Sequence, residues 1–187
     1  MKLFLASSSP RRAELLKQLG FSFEVKKIDF NENIPNSILA EDTAAFLSLQ
    51  KSRQLSDLNK DDIYITSDTV VILKEKVLGK PKDSADAEKM LNSLSDNTHQ
   101  VVSGVTITTY NQKITFDCLT HVKFSKLKNE DIQSYVSTYN PLDKAGSYGI
   151  QEWIGLIGIE EIQGSYYNVM GLPTHLVRKE LLKLGFY

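Results

Sequence analysis

Apolar and polar positions along this chain switch between two periods, and the switches mark out the elements. Leu3 to Ala6 is a short apolar run that predicts a buried first strand. Ser7-Ser8-Ser9 follows, then Pro10-Arg11-Arg12, and Ala13 to Leu19 predicts a helix stopped by Gly20. Ser9 suits the N-cap, and Pro10 suits the first helical position, where a missing N–H costs nothing. Phe21 to Lys27 alternates, with Phe21, Phe23 and Val25 on one face, and predicts a half-exposed strand. Asp29 to Asn36 is polar, carries Pro35 and predicts a loop. Asp42 to Leu58 predicts a helix capped by Asp42 or Thr43, with Ala44, Leu47 and Lys51 on one face.

Ile63 to Leu73 is the most core-like stretch, and its nearly continuous apolar run predicts a strand covered on both faces. Thr66-Ser67-Asp68-Thr69 interrupts that run. Lys74-Glu75-Lys76 predicts a tight turn, and Gly79-Lys80-Pro81 a second, rigid one. Ser84 to Leu94 predicts a helix capped by Ser84. Gln100 to Tyr110 and Lys113 to Lys126 predict a long hairpin about Asn111-Gln112, with Ile114, Phe116, Cys118, Val122 and Phe124 on one face. Asn129 to Tyr139 predicts a helix, and the glycine-punctuated stretch from Pro141 to Gln151 an irregular loop of the kind that carries function. Trp153 to Ile159 predicts a strand, Gly164 to Tyr167 a turn, and the stretch from Pro173 a last helix buried through Leu176, Val177, Leu181 and Leu184. Helices and strands mix throughout, so the fold class is α/β with a mixed sheet and flanking helices. With no repeat or linker, residues 1–187 read as a single domain.

Charge and composition narrow the partners. Lys and Arg total 22 against 23 Asp and Glu, so there is no basic surplus for nucleic acid or an anionic membrane. No window holds the ~20 apolar residues a membrane helix needs, and Leu3 to Ala6 is too short for a signal-peptide core. Cys118 is the single cysteine, which excludes an internal disulfide and points to a small buried hydrophobe in a reducing compartment. The expected location is cytoplasmic. His99, His121 and His175 lie far apart, and neither a P-loop nor a dinucleotide fingerprint is present.

Three local patterns carry chemistry. The strand-to-helix turn at Ser7 to Arg12 combines hydroxyls and guanidiniums with a helix N-terminus, which makes either an oligophosphate cradle or a capped helix with solvated arginines. Asp68 is a carboxylate inside an apolar strand, an expensive placement unless it is paired or opens into a cleft. Lys51 sits on an apolar helix face, where it either snorkels or points its ammonium into a phosphate site. Asp29 and Glu32 form a loop carboxylate pair close enough to share a cation, although most such pairs are solvated.

Ala6-Ser7-Ser8-Ser9-Pro10-Arg11-Arg12, Ser67-Asp68-Thr69-Val70, Gly79-Lys80-Pro81, Lys144-Ala145-Gly146-Ser147-Tyr148-Gly149-Ile150-Gln151 and Gly164 to Pro173 together resemble the Maf family, in the family's order and over nearly the full length. The resemblance implies an inosine-triphosphatase-like (Maf/Ham) fold, often a homodimer. It also implies a house-cleaning nucleoside triphosphate pyrophosphatase that yields a monophosphate and pyrophosphate with a divalent cation, Mg²⁺ or Mn²⁺. On this reading Asp68 is the proton acceptor and, with Glu32, a metal ligand. Ser7, Arg12, Lys51 and Lys80 hold phosphates, while Arg11, Thr69 and Gln151 match the dTTP/UTP-type specificity signature. Modified pyrimidine nucleotides are further implied substrates. A competing implication is a non-catalytic, nucleotide-binding regulator of septum formation. Asn31 stands where many members carry an acid, and Glu152-Trp153 where small residues often follow the glutamine.

Overall fold

The computed structural model describes residues 1–30, 33–56 and 58–187. In chain order it contains β1 (Leu3–Leu5), α1 (Pro10–Gln18), β2 (Glu24–Val25), α2 (Thr43–Ser52), β3 (Ile63–Leu73), β4 (Lys76–Leu78) and α3 (Ser84–Leu94). There follow β5 (Thr98–Thr108), β6 (Lys113–Phe124), α4 (Asn129–Tyr139), α5 (Trp153–Gly158), β7 (Ile159–Gln163), α6 (Tyr166–Met170) and α7 (Thr174–Lys183). Two 3-10 turns, Pro141–Asp143 and Ala145–Ser147, lie between α4 and α5. Among the described residues the strands hydrogen-bond in the order β2-β1-β3-β5-β6-β7, with β4 on β3. The β1–β2 and β1–β3 pairs are parallel, whereas β3–β4 and β6–β7 are antiparallel. This is the mixed sheet expected from the interleaved helical and strand patterns.

Backbone contacts resolve two compact units. The first comprises Met1–Thr69, Ser103–Cys118 and Gly171–Tyr187; the second comprises Val70–Val102 and Leu119–Met170. In the first unit β1 sits parallel to the start of β3, with Leu3 opposite Ile63 and Leu5 opposite Ile65. Ala6 N–H donates to the Ile65 carbonyl at 2.8 Å, after which β1 ends and β3 runs on past it towards Asp68. Helix α2 lies at backbone contact distance from β5. A Cβ at Gly104 would fall 2.3 Å from the Ala44 carbonyl carbon, so only glycine admits this approach. Hydroxyls also tie α2 to the sheet: Thr66 Oγ1 of β3 donates to the Ser48 carbonyl at 2.8 Å, and the Ser48 hydroxyl lies 2.9 Å from that of Thr106 of β5.

The second unit has its own core. Ala87, Leu91 and Leu94 of α3, Ile132, Tyr135 and Val136 of α4, and Ile154 of α5 pack with Val101, Val122, Phe124, Tyr148 and Ile150. Spacings of three and four residues on α3 and α4 make these stripes legible in the sequence.

Several boundaries differ from the expected ones. The strand predicted over Phe21 to Lys27 shrinks to Glu24–Val25, both exposed, because only that segment finds a partner beside β1. Phe21 turns inward instead and meets Phe186 with ring centroids 5.7 Å apart. Helix α2 ends at Ser52 rather than near Leu58. Thr66 to Thr69 does not break β3: within one continuous strand the Thr66 and Thr69 hydroxyls are hydrogen-bonded and Asp68 is paired with Lys51, while the buried Ser67 hydroxyl has no hydrogen-bond partner among the described residues. Asp83, not Ser84, caps α3 by accepting from Asp86 N–H at 2.8 Å. The strand predicted over Trp153 to Ile159 is a helix to Gly158, and the strand starts only at Ile159. Gly155 and Gly158 deprive that stretch of strand side chains, and Ile154 and Gly158 are buried at helical spacing.

His99 is a buried titratable group of the second unit. Its Nε2 lies 2.7 Å from the Tyr148 hydroxyl, its Nδ1 has no hydrogen-bond partner, and Phe124 packs at 5.3 Å between ring centroids. Burial lowers its pKa from 6.5 to about 4. Between those values the unfolded chain binds a proton that the folded chain refuses. Stability should therefore be flat above pH 6.5 and fall below it by up to about 1.4 kcal/mol per pH unit until about pH 4. Urea unfolding of wild type and His99→Gln across this range checks it: the variant should lose this part of the slope, and equal slopes would remove His99 as the cause.

Candidate functional site

The site in the first unit grows from the end of β1. Where β1 stops, the chain turns through Ser7 and Ser8 into Ser9, whose extended backbone and side chain cap α1; Ser9 Oγ accepts from Arg12 N–H at 3.5 Å. Pro10 opens the helix as expected. The free N–H groups of α1 and the hydroxyls before it thus lie beyond the carboxyl ends of parallel strands, where ligands bind in open α/β sheets.

Arg12 is held by several groups at once. Its Nε donates to the Gly171 carbonyl at 2.9 Å, Nη2 to Thr69 Oγ1 at 3.1 Å and Nη1 to Ser7 Oγ at 3.3 Å. Ser7 Oγ also accepts from Ser9 N–H at 3.2 Å. Thr69 Oγ1 lies 2.8 Å from Ser103 Oγ. This network fixes the guanidinium, which a lone lysine at position 12 could not reproduce.

Asp68 faces α2. Its Oδ1 lies 3.2 Å from Lys51 Nζ and 4.0 Å from Arg12 Nη2. The side chains of Asp68, Lys51 and Arg12 are only 13%, 16% and 11% exposed, so the charges are sheltered and hold each other. Lys51 Nζ also lies 5.5 Å from the centre of the Phe30 ring. Lys51 reaches Asp68 because it lies one turn beyond Ser48, the residue that meets Thr66 two positions before Asp68. The ammonium is thus engaged with a carboxylate, not merely snorkelling. The arrangement couples a carboxylate to two sheltered cations, and an anionic ligand can compete with Asp68 for both.

Of the remaining expected residues, Arg11 lies on the first turn of α1, half-buried and engaged in contacts of its own. Glu32, with its neighbour Asn31, lies outside the described residues. Lys80 and Gln151 belong to the second unit, and both are exposed. The Lys80 turn is anchored next door, where Gly146 N–H donates to the Gly79 carbonyl at 3.1 Å. Ser103 and the Gly171 carbonyl were not among the expected site groups. Ser103 reads as an ordinary position of an apolar strand, and a backbone carbonyl leaves no mark in a side-chain pattern. Cys118 is half-buried, and burial with the nearby Asp117 carboxylate raises its thiol pKa, which suits a packing role. Among the described residues no helix is long and apolar enough to cross a membrane.

Known proteins align with the whole chain. The family model for Maf-like protein matches residues 2–184. A protein of Phocaeicola vulgatus named dTTP/UTP pyrophosphatase is 46% identical over 98% of this chain and 96% of its own length. Relatives with the same name from Flavobacterium psychrophilum and Bacteroides fragilis are 46% and 44% identical, over 99% and 98% of this chain and 95% and 96% of theirs. Among solved structures, the Ham1 protein of Staphylococcus aureus superposes with a TM-score of 0.52 at 16% identity, covering 96% of this chain and all of that one, a likeness of fold. With its motifs in order, its mixed sheet and its full-length match, the chain belongs to the Maf-like protein family.

Proposed function

We propose that this protein is a nucleoside triphosphate pyrophosphatase that hydrolyses dTTP and UTP to the monophosphate and pyrophosphate. The observation that carries the reading is the sheltered Asp68–Lys51–Arg12 cluster beyond the end of β1, in a chain nearly half identical to proteins named for that activity. Breaking the α–β anhydride requires neutralised phosphate charge, a placed water and a base. A triphosphate draws Lys51 and Arg12 towards its oxygens and frees the Asp68 carboxylate. Asp68 then takes a proton from the water that adds to phosphorus, and the bridging oxygen leaves with one of the two products. Ser7 and the first turn of α1 support the phosphates. By family resemblance Lys80 adds a further cation to the phosphates, and Arg11, Thr69 and Gln151 select the base.

A divalent cation, Mg²⁺ or Mn²⁺, belongs to this reading. Besides the cations Lys51 and Arg12, the groups near Asp68 among the described residues are hydroxyls of Ser7, Thr69 and Ser103, so the donors on offer are hard oxygens, which suit such a cation better than zinc. Asp68 would hold it together with Glu32. When bound, it would neutralise phosphate charge. House-cleaning of modified pyrimidine nucleotides, a homodimeric state and a cytoplasmic location complete the proposal. A purely regulatory role gives no use for a proton acceptor placed between two phosphate-binding cations.

The amide of Gln151 can both donate to and accept from the edge of uracil or thymine, whereas cytosine presents the reversed pattern. The thymine methyl is worth only about 1–3 kcal/mol, so dTTP and UTP should both be accepted and CTP should be poor. A panel of nucleoside triphosphates, read by pyrophosphate release, checks this; a higher kcat/KM for CTP than for dTTP and UTP would overturn the base assignment. Asp68→Asn keeps the shape and removes the base, and turnover should fall by about 10²–10⁴-fold. Full turnover in that variant would remove Asp68 as proton acceptor. Excess EDTA should abolish pyrophosphate release and added Mg²⁺ or Mn²⁺ restore it; undiminished activity in EDTA would take the metal out of the reaction.

A further inference from the structure

The second unit contains a buried polar cluster that the chemistry above leaves unused. Lys144 is 8% exposed, and its Nζ lies 2.8 Å from Asp143 Oδ1 and 3.2 Å from Glu152 Oε1. The other carboxylate oxygen of Glu152 accepts a short hydrogen bond from the Tyr135 hydroxyl. The same hydroxyl accepts from Gly149 N–H at 3.1 Å. Glu152 N–H in turn donates to the Gly149 carbonyl at 3.0 Å, closing a four-residue turn Gly149-Ile150-Gln151-Glu152. Both ends of that turn therefore converge on one phenol oxygen, carried by the buried stripe of α4.

The surroundings stiffen this arrangement. Tyr135 stacks on Tyr139 with centroids 5.0 Å apart. Burial and the bond to Glu152 keep the phenol protonated, so it donates to one partner while accepting from the other. The Glu152 carboxyl carbon lies 2.6 Å from where a Cβ on Gly149 would stand, so the carboxylate occupies the space that a side chain at 149 would take. Ile150 is buried within the turn, and Gln151 is exposed beside it. Holding one side chain out to a ligand by fixing the backbone on both sides of it is how sites gain discrimination from residues that never touch the ligand.

We infer that Tyr135, Glu152 and Lys144 are positioning residues that clamp the Gly149–Glu152 turn and so set how sharply Gln151 discriminates pyrimidine bases. The inference rests on the pyrimidine triphosphatase reading. Lys144 orients the carboxylate, Glu152 orients the phenol, and the phenol ties the two ends of the turn together. Glu152, which stands where a small residue often follows the glutamine, is on this account part of the specificity apparatus.

The test is steady-state kinetics on UTP and CTP for wild type, Tyr135→Phe and Glu152→Gln, with amide hydrogen exchange at Gly149 and Glu152. Tyr135→Phe keeps the ring stack and removes the shared oxygen. The UTP-over-CTP ratio of kcat/KM should fall about tenfold or more, mainly through a raised KM for UTP, with kcat on UTP within about twofold. Glu152→Gln keeps a hydrogen-bonding shape and should give a smaller fall. Exchange at the two amides should quicken by about tenfold while α3 and α4 stay protected. An unchanged ratio, or equal losses on both nucleotides, would overturn the positioning role, as would unchanged exchange at both amides. Wild type that hydrolyses no nucleoside triphosphate would instead overturn the functional reading and the discrimination with it, while the exchange data would still decide the clamp.

Discussion

A carboxylate inside a strand has to be compensated, and much of the first unit follows from that requirement. Asp68 lies in β3 between residues that are almost wholly buried. An unpaired charge there would cost several kcal/mol. Lys51 and Arg12 supply the compensation, and each must be held by its own element to do so. Arg12 is fixed through Ser7, Thr69 and Gly171, and Lys51 by the seating of α2 on the sheet. The early end of β1 completes the set, since it leaves the strand open where the carboxylate appears. A pairing that stabilises the resting protein also keeps two cations beside a carboxylate, where an anionic ligand can compete for them.

Much of this was legible in the sequence because it is local or periodic. Asp68 stood out as a charge in an apolar run, and Ser9-Pro10 announced a helix start. The stripes of α3 and α4 and the alternation of β6 follow from side-chain geometry. Lys51 was ambiguous, because a lysine on an apolar face looks the same whether it snorkels or meets a carboxylate brought by another element. The error at Trp153 to Gly158 has a similar origin. Short apolar stretches fit either period, and here burial of Ile154 and Gly158 decided for a helix. Tyr135 reads as core because it is core, and nothing in α4 reveals that its hydroxyl joins two points of a loop. The part played by Glu32 is a matter of family resemblance alone, since it lies outside the described residues.

The two clusters illustrate different uses of buried charge. Around Asp68 the ion pairs are sheltered but reachable, and the partners are groups that a phosphate can claim. Around Lys144 the pairs end on the backbone of a turn, and the ion pair serves geometry. The first joins residues far apart in sequence, the second residues within one stretch from α4 to α5.

The contact between Gly104 and Ala44 bears on evolution as much as on packing. Because α2 already rests backbone to backbone on β5, it cannot move inward, and any side chain at 104 would lift it. The length of the residue at 51 is thereby matched to one fixed gap. Lysine brings its ammonium to 3.2 Å from the carboxylate, and the longer arginine would overreach, although the charge is the same. Positions 51 and 104 should drift together or not at all, and a lineage that replaced the glycine would need a longer cation on the helix to keep the carboxylate paired.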